Sequence, residues 1–259
     1  MRQHLQELYR YRALLGALVL RHLAVRYRGS VLGFLWSFLN PLCLMLVYLL
    51  VFRFYIRFDQ VENYTLFLFC GLLPWVWSTS ALTEGTSSIV SSGHLITKSM
   101  FPAHLLPTVA VTTSFINYLL SLPILLLLML IMGAPLHLSM LALPLVCLLQ
   151  FLFLLGLSLA LGALNVRFRD VQHIVANLLT FLFFLCPIVY PSQAVPERFR
   201  FTLELNPIAQ LTMFYHQIIL DGALPSLHSL IYVLAWTGVV VCLGVIIFDR
   251  QREQFAENL

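Results

Sequence analysis

Residues 105–165 read LLPTVAVTTSFINYLLSLPILLLLMLIMGAPLHLSMLALPLVCLLQFLFLLGLSLALGALN, and this stretch decides the fold class. No Asp, Glu, Lys or Arg occurs between Lys98 and Arg167. A helix that crosses a hydrocarbon core of roughly 30 Å needs about 20 predominantly apolar residues, so the stretch has room for two crossings. Gly133, Ala134 and Pro135 form a helix-breaking sequence near its middle. We therefore predict transmembrane helices over residues 105–132 and 138–164.

The rest of the chain has the same character. Its 259 residues are 60% hydrophobic and 10% charged, whereas soluble domains carry roughly 25% charged residues. Four further windows of helical length contain no charged residue, and they are residues 33–52, 64–83, 171–189 and 226–248. We predict an all-α membrane protein in which residues 1–259 form a single transmembrane domain with six transmembrane helices.

The positive charges predict how these helices are oriented. An even number of crossings places both termini on one side of the membrane. The segments on that side, residues 1–32, 84–104, 165–170 and 249–259, hold eleven of the fifteen Lys and Arg residues. Because short cytoplasmic segments are enriched in Lys and Arg, we predict that both termini are cytoplasmic.

The segment before the first crossing, residues 1–29, has the pattern of an amphipathic helix. Tyr11, Leu15 and Leu18 fall on one helical face, whereas Arg10 and Arg21 fall on another. We predict an interface helix in the membrane plane, ended by Gly29 in a left-handed cap, and the alternative is a solvated basic tail.

The loop over residues 190–225 is long and partly apolar. Asn206 is placed to cap a helix that starts at Pro207 and is about 21 Å long, too short to span the bilayer. We predict a re-entrant hairpin on the outer face that borders a translocation path, with Asn206, Pro207 and Tyr215 as outer-gate residues. The alternative is an external amphipathic cap without a pathway.

The predicted spans contain no ionisable carboxylate, Lys or Arg, which disfavours a membrane-bound transferase and an ion-coupled transporter. No GxxxxGK[ST] phosphate-binding loop is present, so we expect no enzymatic activity in this chain and any ATP use on a separate subunit. The five cysteines occur singly in apolar runs, and neither a metal site nor a nucleic-acid partner is expected.

Aromatic rings at helical spacing are the candidates for a sugar-conducting channel, because the apolar face of a sugar can slide over a ring. The alternative is ordinary packing or an interfacial aromatic belt. The candidates are Trp36, Tyr48, Phe52, Tyr55, Trp75, Phe181 and Phe184.

The loop over residues 84–104 mixes polar and apolar residues and is predicted to dock a soluble partner, although it could be a plain connector. Its candidate contact residues are Ser92, His94, Leu95, Lys98 and Phe101.

Basic residues near the inner ends of the helices are candidates for lipid-phosphate contact or for ordinary anchoring. They are Arg26, Arg28, Arg167 and Arg169, and the neighbouring Asp170 is a predicted cap for the fifth span.

Five segments taken together resemble signature segments of polysaccharide-exporting ABC permeases, a family that includes exporters of O-antigen, teichoic acid and capsule. They are VRYRGSVLGFLWSFLNPL (25–42), GLLPWVWSTSAL (71–82), LITKSMFPAHLLP (95–107), NVRFRDV (165–171) and PIVYP (187–191).

The resemblance implies a homodimer in the bacterial inner membrane, paired with two ATPase subunits that bind ATP and Mg²⁺, so that no cofactor is expected in this chain. It also implies a lipid-linked polysaccharide as the cargo, a coupling helix after the second span and an outer gate before the sixth. A drug or small-lipid exporter of the same architecture is the alternative.

Overall fold

The structure is a computed structural model that describes residues 7, 9–55, 61, 63–98 and 101–255. Side chains are not described for Arg26, Tyr27, Phe34, Thr97 and Lys98. Within the described ranges the chain is helical and contains no β-strand, as predicted.

The helices vary widely in length. The second continues as a π-helical turn, Leu50–Tyr55, and a 3₁₀ turn, Leu138–Ala142, precedes the sixth. Their bounds are α1 Arg12–Tyr27, α2 Trp36–Leu49, α3 Tyr64–Ser91, α4 Gly93–Lys98, α5 Leu105–Ile131, α6 Leu143–Arg167, α7 Val171–Leu185, α8 Arg200–Leu205, α9 Pro207–Ile219 and α10 Leu227–Gln251.

In the described part of the chain, five helical segments are long and apolar enough to cross a membrane. They are Trp36–Tyr55, Tyr64–Ser91, Leu105–Ile131, Leu138–Arg167 and Leu227–Gln254. The chain is therefore a multi-pass membrane protein.

The predicted fifth span, residues 171–189, forms a helix only over its first 15 residues, Val171–Leu185. A helix of this length is shorter than the hydrocarbon core requires. Its end has a local cause, because a residue before proline is driven out of the helical region. Cys186 precedes Pro187 and is extended, with φ −102° and ψ 144°.

The second span is longer than predicted. We expected it to end at residue 83, but α3 continues to Ser91, so residues 84–91 of the predicted docking loop are helical. Gly85, Thr86 and Ile89 are buried against the protein, and Glu84 pairs with His22 of α1. Because packing against protein stabilises these last turns, the helix can extend beyond the hydrocarbon region.

The glycine predicted to form a left-handed cap, Gly29, and the glycine predicted to break the long apolar stretch, Gly133, both end helices. Gly29 follows α1 with φ +80°, and Gly133 follows α5 with φ +68°. Both values lie in the left-handed region, which glycine occupies without a steric penalty. The predicted ends of α1 and α5 are confirmed.

Helix α3 is the central element. In the most apolar 18-residue stretch of α3, 78% of the residues are buried, compared with 17% in the spans that contain α2 and α10. Side chains of α6 and α9 donate hydrogen bonds to its backbone carbonyls at intervals of five to seven residues. The pairs are His216 to Phe67 (3.1 Å), Gln150 to Pro74 (3.0 Å), Ser158 to Ala81 (3.3 Å) and Asn165 to Thr86 (3.1 Å).

Glycines bring α6 and α10 into backbone contact. A Cβ on Gly156 would lie 2.8 Å from the carbonyl oxygen of Val240. A Cβ on Gly244 would collide with the backbone of Gly156. Small residues at such crossings let helices approach closely, which is how helices associate in lipid.

We predict that Gly244→Ala destabilises the protein by about 1–3 kcal/mol, because the new methyl group forces α10 away from α6. The measurement is the midpoint of thermal unfolding in detergent. Gly238→Ala is the matched control, since a methyl group at this position of the same helix would meet no atom within 4 Å. An unchanged midpoint for Gly244→Ala would show that the two helices are not in close contact.

Candidate functional site

An aromatic cluster joins α2, α3 and α7. The Tyr48 ring stacks on Phe183 with centroids 5.1 Å apart, and Trp75 lies 5.7 Å from the same ring. Phe52 lies 6.3 Å from Tyr48, and Phe184 lies 5.1 Å from Phe183 in an edge-to-face arrangement. Three of the predicted aromatic residues, Tyr48, Trp75 and Phe184, therefore contact one ring that is absent from the predicted set, Phe183, and Phe52 joins them through Tyr48.

The central ring, Phe183, has a detectable sequence signal. Val175, Leu179 and Phe183 recur every four residues, and all three are buried. This spacing marks the face of α7 that packs on the rest of the chain, whereas Phe181 and Phe184 lie on other faces.

The predicted aromatic residues differ in how exposed their side chains are. Phe181 and Phe184 are 68% and 59% exposed, and Tyr55 and Trp36 are also exposed. Trp75 is only 6% exposed, so its ring faces the interior of the chain. Helix α7 thus presents a largely uncovered apolar face, which also includes Ile174 and Leu178.

A cavity of about 550 Å³, here called the inner cavity, lies between α1, the end of α3, α4 and the start of α5. Three of the predicted docking residues, Ser92, His94 and Leu95, line it. Phe101, which follows α4 in the sequence, is partly buried. The side chain of Lys98 lies outside the described residues.

Two contacts between a histidine and a glutamate attach the N-terminal segment beside this cavity. The imidazole Nε2 of His22 lies 3.5 Å from Glu84 Oε2 of α3. The Nδ1 of His104, just before α5, lies 3.6 Å from Glu7 Oε2. The first contact holds α1 against α3, and the second holds Glu7, which precedes α1, against the start of α5.

Three predicted lipid-contact arginines, Arg28, Arg167 and Arg169, are exposed, and the side chain of Arg26 lies outside the described residues. The Arg167 guanidinium lies 5.2 Å from the centroid of the Phe168 ring. A cation over an aromatic face is held there by the ring quadrupole.

The predicted role of Asp170 as a side-chain cap of α7 is wrong. Its side chain makes no capping hydrogen bond, and its backbone is helical with φ −71° and ψ −18°. Asn165 acts instead: its Oδ1 accepts a hydrogen bond from the Gln172 N–H at 3.2 Å, while its Nδ2 bonds Thr86. A helical Asp170 points its carboxylate away from the first free N–H groups.

The predicted cap of α9 is confirmed. Asn206 Oδ1 accepts a hydrogen bond from the Ile208 N–H at 3.0 Å, and Pro207 is the first residue of the helix. Tyr215, in contrast, is wholly buried and donates its hydroxyl hydrogen to Cys147 Sγ at 3.6 Å. In this conformation its ring anchors α9 to α6 and does not face an open path.

A second cavity, of about 500 Å³ and here called the outer cavity, lies at the opposite end of the helices. The start of α3, the turn after α5, the segment after α7 and the end of α9 surround it. Its polar residues are Asn63, Ser192, Gln193, His216, Gln217 and Asp221. No sequence motif indicated this cavity, because its walls come from four distant parts of the chain.

Two polar groups of the outer cavity are partly or fully buried. Gln217 Oε1 is buried and has no hydrogen-bond partner among the described residues. Partial burial raises the pKa of the Asp221 carboxyl, and the nearby His137 opposes that rise. The outer cavity is therefore a polar site with unused hydrogen-bonding capacity.

Known proteins resemble this chain over nearly its whole length. The sequence model of a family described as ABC-2 type transporter matches residues 13–220. The O-antigen export system permease protein RfbA of Myxococcus xanthus is 43% identical over 98% of both chains. A Klebsiella pneumoniae protein of the same name is 32% identical over 95% of both chains. The polysialic acid transport protein KpsM of Escherichia coli is 24% identical over 92% of this chain and 93% of that one.

We predict that Phe183→Ala destabilises the protein by about 3–5 kcal/mol, because it removes the ring on which Tyr48 and Trp75 converge. The matched control is Phe181→Ala, which removes an exposed ring from the same helix and leaves thermal stability nearly unchanged. Both are measured by thermal unfolding in detergent. Equal midpoints for the two variants would contradict the aromatic cluster.

Proposed function

The chain belongs to the ABC-2 type transporter family, and we propose on that premise that it is the membrane subunit of an ATP-driven exporter of lipid-linked polysaccharide, from cytoplasm to periplasm. The observation that carries this proposal is the end-to-end similarity to O-antigen export permeases. The more distant relative named for polysialic acid transport also favours polysaccharide over a drug or a small lipid as the cargo.

We further propose six crossings, the fifth formed by α7 and the non-helical residues that follow it. At its inner end α7 is capped by Asn165, which also bonds Thr86. At its outer end Val189 accepts a hydrogen bond from the Tyr64 hydroxyl at 2.8 Å. Thr86 and Tyr64 are about 33 Å apart along α3 at 1.5 Å per residue, which matches the thickness of the hydrocarbon core.

The segment α8–α9 is proposed to be the re-entrant outer hairpin. The first turn of α9 packs near Pro74, which lies about 15 Å along α3 from Tyr64. Non-helical backbone at such depth must be bonded by protein groups. Here the Tyr232 hydroxyl bonds the Leu205 carbonyl at 2.8 Å, and Gln210 bonds the Leu203 carbonyl at 3.2 Å.

Two copies of the chain are proposed to meet across the exposed faces of α2 and α7, with the conduit between them. In this arrangement Phe181 and Phe184, which are exposed in the single chain, would face the conduit between the two copies and would contact the passing glycan. Such rings bind sugar faces weakly, so a long polymer can slide without being trapped.

The ATPase is proposed to dock at the inner cavity, against α1 and α4. Helix α4 is joined through Ser92 to α3, which is hydrogen-bonded to α6 and α9 along its length. A displacement of α4 would therefore reach the proposed outer gate through one continuous helix. The exposed Arg28, Arg167 and Arg169 are proposed to contact phosphates of membrane lipids or of the lipid carrier.

We predict that the chain, purified with its ATPase subunits in nanodiscs, hydrolyses ATP faster when lipid-linked glycan is added. Cells that lack the chain are expected to retain the finished glycan in the cytoplasm. Absence of both effects would overturn the proposed function, and stimulation by drugs or small lipids alone would reassign the cargo.

A matched pair of variants tests the docking surface within that experiment. His94 and His228 are both exposed, at opposite ends of the molecule. We expect His94→Glu to lower ATPase co-purification and His228→Glu to leave it unchanged, since only His94 lies on α4. Equal co-purification of the two variants would contradict docking at the inner cavity.

We also predict that α7 crosses the membrane, which the labelling of two flanking positions tests. In a variant without the native cysteines, Gln193→Cys is expected to react with a membrane-impermeant maleimide applied to the periplasmic side. Arg169→Cys is expected to react only after the membrane is permeabilised. Equal labelling of both positions would contradict six crossings and cytoplasmic termini.

A further inference from the structure

We propose that the outer cavity binds a neutral sugar unit of the exported glycan, within a single copy of the chain and apart from the aromatic conduit. This inference rests on the proposed function, because it assigns a ligand class to a site that polysaccharide export leaves unexplained.

The charges that line the cavity restrict the class of ligand. Asp221 is the one lining residue with a formal charge at neutral pH among those that the structure describes, and no Lys or Arg lines the cavity there. Among the described residues, a phosphate or another anion would find no Lys or Arg partner in the cavity lining. A divalent cation would find a single carboxylate, whereas cation sites gather several oxygen ligands with more negative charge.

The remaining polar groups are those that bind hydroxyls. Asn63, Gln193 and Gln217 carry amides, each able to donate and accept hydrogen bonds. Gln217 Oε1 has no hydrogen-bond partner among the described residues and is closed to solvent, so a ligand hydroxyl would bond it after the side chain rotates toward the cavity. A buried acceptor without a partner costs about 1–3 kcal/mol, and this cost is relieved when such a ligand binds.

Two stacked rings in the cavity lining suit the apolar face of a sugar ring. Phe67 and His216 are buried and stacked, with centroids 4.1 Å apart and planes 26° apart. The His216 Nε2–H is directed to the Phe67 carbonyl, 3.1 Å away, which fixes the imidazole in place. Flat rings and amide groups within one lining correspond to the C–H faces and the hydroxyls of a pyranose.

The walls of the cavity are stiff. Pro135, Pro187 and Pro191 line it, and each fixes its own backbone φ angle. A volume of about 500 Å³ lies within the usual range for small-molecule sites. A preformed cavity of this size binds with little ordering cost, so a few hydrogen bonds suffice to hold a sugar unit.

The test uses the complex in nanodiscs and oligosaccharides released by mild acid from the cell's own surface polysaccharide. Saturation-transfer NMR is expected to detect binding, weakened about fivefold in Gln217→Leu because one hydrogen bond is lost. Gln193→Leu, at the exposed rim, is the second variant in case the first misfolds. Gln251→Leu, at the inner end of α10, is the matched control and is expected to bind like the unmodified complex.

The possible outcomes separate this inference from the proposed function. Glycan export by the complex without oligosaccharide binding, or with binding unchanged in both cavity variants, would overturn the sugar site alone. Binding of Ca²⁺ or inorganic phosphate that the cavity variants abolish would also overturn it. A complex that exports no glycan would overturn the proposed function itself.

Discussion

The hydrogen bonds from His216, Gln150 and Asn165 to the carbonyls of α3 determine how the other helices are arranged. Helix α3 is largely enclosed by protein, whereas α2 and α10 are mostly uncovered. Lipid tails are as apolar as leucine, so burial of apolar side chains does not choose between registers of two helices in a membrane. A hydrogen bond to a particular carbonyl, in contrast, favours one register of the two helices over the others.

The size of these bonds shows what they contribute. Interhelical hydrogen bonds in membranes average about 0.6 kcal/mol, so the bonds to α3 supply only a few kcal/mol together. Close packing at glycines, such as Gly156 against Gly244, supplies contact area that the bonds do not. The bonds therefore fix position, and the packing around them provides most of the cohesion.

The same requirement for backbone hydrogen bonds explains the least regular part of the chain. The extended turn after α7 and the short helices α8 and α9 leave carbonyls that helical bonds do not satisfy. Tyr64, Tyr232 and Gln210 satisfy three of them, at Val189, Leu205 and Leu203. Val189 and Leu203 are buried, so protein groups supply the hydrogen bonds that water cannot, whereas Leu205 is exposed.

The sequence by itself determined the helical membrane class, the breaks at Gly29 and Gly133, and the Asn206 cap of α9, because each depends on composition or on a few adjacent residues. It also contained the four-residue spacing that buries Phe183. The end of α7 at Leu185 also has a local cause, since Pro187 follows Cys186. Only the tertiary structure decided that α3 reaches Ser91 and that Asn165, which also bonds Thr86, caps α7 in place of Asp170. Those features, like the outer cavity, depend on contacts between residues far apart in the chain, and local pattern carries no information about which distant groups will meet.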